Sequence, residues 1–165
     1  MSQAPLIGIV MGSTSDWPIM EHAARTLRDF GIPWQAEVAS AHRSLDKLQA
    51  FVGSARENGL KCIIAGAGAA AHLAGVCAAI TDIPVCAVPI DSTSLKGLDA
   101  LLAMVQMPGG IPVATFAIGK AGAVNAALFA VAMLANENPE IAKKLAEFRK
   151  KQSDKVKAAI LPPLD

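Results

Sequence analysis

The chain has 165 residues, a net charge of +1, 18% charged and 53% hydrophobic residues, enough for one complete core without disulfide or metal staples. This balance excludes a general nucleic-acid binder: there is no basic stripe, tyrosine is absent and only 4% of residues are aromatic, so base-stacking platforms are missing. A mean hydropathy of +0.41 is high for a domain of this size and predicts extensive subunit contacts over apolar surface.

Ile7-Gly8-Ile9-Val10 reads as a central parallel strand, apolar on both faces. Gly12 then turns the chain, and Ser13, Thr14 and Ser15 supply short hydroxyls ahead of a helix with Pro18 in its first turn. The unpaired N–H groups at that helix start point to an anion site, most naturally for a phosphate; the plainer alternative is a capped helix after a strand. Ile19, Met20, Ala23, Ala24, Leu27 and Phe30 form the apolar face of this helix, Glu21, His22, Arg25 and Arg28 its polar face, and Gly31 its stop. Pro33 opens a second strand, Trp34 to Ala39, followed by the loop Ser40-Ala41-His42-Arg43. A second helix covers about Ser44 to Asn58, and Gly59 ends it.

The third strand, Leu60 to Ala65, runs into a small-residue loop, Gly66 to His72, and a short apolar helix to about Ile80. Pro84 to Ile90 is the fourth strand, followed by a polar loop, Asp91 to Lys96, and a helix around Leu98 to Gln106. The turn at Met107-Pro108-Gly109-Gly110 precedes a fifth strand, Ile111 to Ile118. The apolar run from Ala121 to Ala135 is interrupted by Asn125 and too short to span a bilayer. An apolar helix of this kind is expected to be buried all round. A last amphipathic helix, about 139–155, has Pro139 at its first position, and the Pro162-Pro163 pair makes 158–165 an extended tail. Five strands alternating with helices predict a single α/β domain, 1–165: a flavodoxin-like three-layer αβα sandwich with a parallel sheet of order 2-1-3-4-5 plus a C-terminal helix. In such sheets ligands bind beyond the carboxyl ends of the strands, at the switch point beside strand 1.

The three loops expected at that edge hold the unusual residues. His42 is either a satisfied loop histidine or a general acid–base, since imidazole exchanges protons near neutrality. Arg43 either clamps a phosphate or makes a surface ion pair. Asp16 either complements the positive end of the first helix or accepts hydrogen bonds from a ribose. The run from Gly66 to Ala71 either lines a tight cavity or packs helix against strand. His72 is read as a structural hydrogen-bonding residue near the pocket, with substrate contact the alternative, and Lys120 as a solvated lysine or an anion partner. Cys62, Cys77 and Cys86 form no metal-binding spacing and are expected to be small buried hydrophobes in a reducing compartment. No Walker loop or GxGxxG motif is present. No metal site is expected, and the absence of an export pattern at the N-terminus predicts a cytoplasmic location.

Taken together, Met11-Gly12-Ser13-Thr14-Ser15-Asp16-Trp17, Ser40-Ala41-His42-Arg43 and the stretch from Ala65 to Leu73 resemble the N5-carboxyaminoimidazole ribonucleotide mutase family, the catalytic subunit of phosphoribosylaminoimidazole carboxylase. The likeness continues through Val105 to Val113 and Ala117 to Gly122, and its alanine-rich third loop is similar to the bacterial mutase class. The resemblance implies a homo-octamer with sites at subunit interfaces and a small-molecule substrate, an aminoimidazole ribonucleotide. It implies substrate binding through Gly12, Ser13, Ser15, Asp16, Ser40 and Arg43, with Gly68, Ala69, Ala70 and His72 around the imidazole and carboxylate. His42 is the implied acid–base residue in moving a carboxyl group from the exocyclic nitrogen to carbon 4, with no cofactor, nucleic acid or membrane involved. The chain departs from the family pattern at Ala69, where a second glycine is usual, at Leu45 and Ala74, where proline is usual, and at Ala87, where glycine is common. A position needing positive φ at 69 would cost on the order of 1 kcal/mol with alanine.

Overall fold

A computed structural model describes residues 4–161. The first strand, β1 (Ile7–Met11), is buried at every position. It leads through a single 3-10 turn, Thr14–Asp16, into α1 (Trp17–Asp29). The chain continues as β2 (Trp34–Val38), α2 (Leu45–Gly53), β3 (Cys62–Gly68), α3 (Leu73–Ile80), β4 (Val85–Ile90) and α4 (Leu98–Val105). β5 (Ala114–Thr115), α5 (Lys120–Ala135) and α6 (Pro139–Lys157) complete it. All strand pairs are parallel, in the order β2-β1-β3-β4-β5, as the alternation of strand and helix predicts. The Pro162-Pro163 part of the expected tail lies outside the described residues.

Strand periodicity splits the core in two. Ile7, Ile9, Met11, Ile64 and Val88 face one side, where α1 and α5 cover them and Ile141, Leu145 and Phe148 of α6 add a second layer. Val10, Ile63, Ala65, Val85 and Ala87 face the other side, under α2, α3 and α4. The three cysteines are buried and free, and burial pushes the Cys77 thiol up to about 12.

Three boundaries and one burial pattern differ from the sequence expectation, each for a tertiary or local reason. The second helix ends at Gly53 rather than near Asn58: Ser54 Oγ donates to the Ala50 carbonyl at 2.7 Å, and the chain tightens into turns. β3 runs on to Gly68, because β4 lies alongside and pairs Gly66, Ala67 and Gly68 with Val88, Pro89 and Ile90. β5 has only two residues instead of the span from Ile111 to Ile118, since Pro89 of β4 has no N–H to donate and Pro112 none either. The fourth correction is α5, which is buried on one face only. Gly122, Ala123, Ala126, Ala127, Ala130 and Val131 are buried, whereas Phe129 remains 45% exposed.

Candidate active site

The loops after β1, β2, β3 and β4 meet at the carboxyl end of the sheet. At the first, Ser13 caps the turn into α1: its hydroxyl accepts from the Ser15 N–H at 3.3 Å and from Ser15 Oγ at 3.0 Å. The Ser13 N–H in turn donates to Asp16 Oδ2 at 3.1 Å, closing a capping box. Asp16 is only 8% exposed. Burial raises its carboxyl above the ordinary value, partly offset by the Ser13 and Gly12 N–H groups and by the Arg43 charge. A desolvated carboxylate facing a cavity is a strong acceptor for hydroxyl donors.

At the second loop, the Ser40 N–H donates to Ser44 Oγ at 2.9 Å, and Ser40 Oγ accepts from the His42 N–H at 3.3 Å. This compact turn presents His42 and Arg43 side by side. Arg43 Nη2 donates to the Gly12 carbonyl at 2.9 Å, and its Nε lies 3.4 Å from Ser40 Oγ. The guanidinium thus ties the β1 and β2 loops together and retains further N–H groups for an anion.

The third loop brings His72 to His42. Their Nδ1 and Nε2 atoms are 2.9 Å apart, with the rings at 82° and their centroids 5.0 Å apart. One of these nitrogens carries the proton and the other accepts it, so the contact orients the His42 ring. Ala69 has φ +52°, a left-handed conformation that costs an L-residue roughly 1–2 kcal/mol. Position 69 thus has the positive φ at which the alanine is costly.

Gly12, Ser13, Ser15, Asp16, Ser40, His42, Arg43, Gly68 and Ala70 line one cavity of about 190 Å³. His72 reaches it through His42, and Ala69 shapes the loop beside it. His22 lies away from it on α1, and Lys120 is exposed at the start of α5. Ala67, in the small-residue run read as a possible cavity lining, does line it, and so do Leu73 and Ser92, which no reading of the sequence gave a role in the site. The only signal for Ser92 was its place just past the end of a predicted strand. Larger cavities of about 520 and 320 Å³ lie elsewhere and contain no histidine. Among the described residues, no group of three or more His, Cys, Asp or Glu side chains is gathered to hold a metal ion, and no helix is long and apolar enough to cross a membrane.

These features define a doubly wound α/β protein whose switch-point cleft is lined by a histidine, an arginine, a buried aspartate and serine hydroxyls. The chain belongs to the AIR carboxylase family, whose model matches residues 6–155. It is 55% identical over 150 residues to the N5-carboxyaminoimidazole ribonucleotide mutase of Brucella melitensis, covering 91% of this chain and 93% of that one. It is also 53% identical over 152 residues to the bifunctional purine synthesis protein purC/E of Dictyostelium discoideum; the match takes in 92% of this chain but only 15% of that longer protein. A crystal structure of Treponema denticola PurE superposes with a TM-score of 0.84 at 28% identity, covering 92% of this chain and 94% of that one. Family and fold therefore agree with the resemblance read from the motifs.

Proposed function

We propose that this chain is an N5-carboxyaminoimidazole ribonucleotide mutase of purine biosynthesis, interconverting that nucleotide and 4-carboxy-5-aminoimidazole ribonucleotide. One observation carries the chemistry: the His42 imidazole lines the same cavity as the capped Ser13–Asp16 turn and the Arg43 guanidinium. Arg43, Ser13, Ser15 and Ser40 hold the phosphate end, backed by the N–H groups and dipole at the start of α1. Asp16 accepts from ribose hydroxyls. Anchoring these remote groups keeps the aminoimidazole ring in register through the reaction.

The imidazolium of His42 donates its proton to the exocyclic carbamate nitrogen. The nitrogen–carbon bond then breaks, and its electron pair stays on nitrogen as carbon dioxide departs. The electron-rich carbon 4 attacks the carbon dioxide, and neutral His42 removes the proton from carbon 4 to restore the aromatic ring. Proton transfer to nitrogen suffices for the cleavage, so the route calls on no metal, biotin or ATP. Ala67, Gly68, Ala70 and Leu73 wall the chamber with small and apolar groups, which favours recapture of the gas over its escape.

Two features support assembly of this chain into an octamer with sites at subunit junctions. About 190 Å³ is less than the ~300 Å³ or more usual for a complete small-molecule site. Large apolar side chains also remain exposed on α4 and α5. The proposed location is the cytoplasm.

The deciding assay supplies purified N5-carboxyaminoimidazole ribonucleotide without ATP, metal or bicarbonate and follows the isomer by absorbance. Turnover is expected. A requirement for bicarbonate would make the chain a direct carboxylase, and binding without product a non-catalytic nucleotide module. His42→Asn is expected to retain nucleotide affinity while kcat drops at least ~10²-fold.

A further inference from the structure

The β4 side of the cavity holds a polar group that none of the motifs identified. We propose that Ser92, two residues past the end of β4, is a further substrate-binding residue whose hydroxyl donates a hydrogen bond to the migrating carboxyl group. The inference rests on the mutase reading and adds to it the anchor for the group that moves.

Three observations meet at this position. The cavity wall contributed by β3, β4 and the start of α3 consists of Ala67, Gly68, Ala70 and Leu73, and Ser92 is its one side-chain hydroxyl. Gly68 leaves room for that hydroxyl. A Cβ built on Gly68 would overlap Ser92 Oγ and stand 2.8 Å from Ser92 Cβ and 3.0 Å from the Ile90 carbonyl. Among the described residues, Ser92 Oγ makes no hydrogen bond, whereas the hydroxyls of Ser13, Ser15, Ser40 and Ser44 are all engaged. Ser92 is an exposed residue at the edge of this small chamber, and its hydroxyl, beside the bare backbone of Gly68, is free to donate to a ligand acceptor.

The loop that carries Ser92 is built to hold still. Thr93 Oγ1 donates to Asp99 Oδ2 at 2.9 Å and accepts from the Leu95 N–H at 3.1 Å. The Lys96 N–H donates to the Thr93 carbonyl at 3.0 Å. Lys96 and Gly97 then turn the chain with φ +49° and +82°. Such pre-organisation is what a positioning contact requires. The chemistry gives the contact its purpose. The nucleotide is held at its phosphate end by the β1 and β2 loops, so the ring and its carboxyl group extend toward β3 and β4. Methyl groups there can confine carbon dioxide but cannot orient a carboxylate, and a hydroxyl donor can.

The test compares two ligands on the full chain. Titration calorimetry is run in the His42→Asn background, where neither ligand reacts, with and without Ser92→Ala. Affinity for 4-carboxy-5-aminoimidazole ribonucleotide is expected to fall about tenfold, while affinity for 5-aminoimidazole ribonucleotide, which lacks the carboxyl group, stays within about twofold. Ser92→Cys, nearly the same shape with a weaker donor, is expected to fall between the two. Equal weakening of both ligands, or of neither, overturns the assignment. Turnover of the chain with native His42 and Ser92 is measured separately. If it converts no substrate, the function itself fails, and that failure is distinct from loss of the ligand difference.

Discussion

Asp16 is the residue at which folding and function pull apart. It is nearly buried, and burial raises its folded-state pKa above the unfolded value. A carboxyl group shifted this way favours the folded state most below the ordinary carboxylate pKa, and that contribution is lost as pH rises through the raised value. At neutral pH the ionised group therefore costs stability. Asp16→Asn keeps an oxygen able to accept from the Ser13 N–H and removes the buried charge. Its melting temperature at pH 7 is expected to lie on the order of 2–4 °C above that of the parent chain, with the difference shrinking as the pH falls through the carboxylate range. Nucleotide affinity is expected to drop about tenfold or more, because an amide presents a donor where a carboxylate accepts. Scanning calorimetry across pH and ligand titration check the two halves, and a variant that melts lower at pH 7 would refute the first. Asp16 and His42 were both legible in the sequence, since a helix start and a strand end are local signals. The 2.9 Å contact between His42 and His72 was not, because it spans two loops separated by a whole βα unit.

At the scale of elements, the packing of α5 depends on having no side chain at one position. Gly122 sits in the first turn of α5 against the carbonyl of Ala117, and an added Cβ would overlap that oxygen and lie 2.7 Å from its carbon. Both are backbone atoms that cannot rotate away. Gly122→Ala is therefore expected to lose about 1–3 kcal/mol of stability, even though alanine has the higher helix propensity. Denaturant unfolding measures this directly, and a neutral or stabilising result would show that α5 can slide. Helix and strand order was legible from periodicity, but element lengths were not. A single-turn signal such as Ser54 or a missing donor such as Pro89 outweighs propensity only when its neighbours are in place. The largely apolar composition of α5 likewise hid the fact that only its small-residue face is covered.

For the whole molecule, the accessible surface is 9537 Å², against the roughly 7,700 Å² expected of a compact monomer of this mass. Leu95, Leu98, Leu102 and Val105 are 50–60% exposed and recur at helical spacing along α4 and its approach, and none of the residues of α6 is buried. A surface of this extent and composition calls for partners, and copies of the same chain are the proposed ones. Light scattering is expected to report a large multiple of 17.0 kDa. A double substitution, Leu98→Asp with Leu102→Asp, is expected to give smaller species and, on the proposal that the sites lie at subunit junctions, to depress turnover with them. A fully active 17.0 kDa species would overturn this proposal.

The sequence by itself determined the fold class, the strand order and the loops that gather at the cavity, with His42, Arg43 and Asp16 as its candidate residues. These follow from apolar periodicity and from the chemistry of strand and helix ends, which act over a few residues. Only the tertiary structure decided how far β3 and β5 extend, which face of α5 is covered, that His72 orients His42, and that Ser92 enters the cavity. Each of these depends on what lies alongside in space, and a parallel sheet brings together segments that are tens of residues apart in the chain.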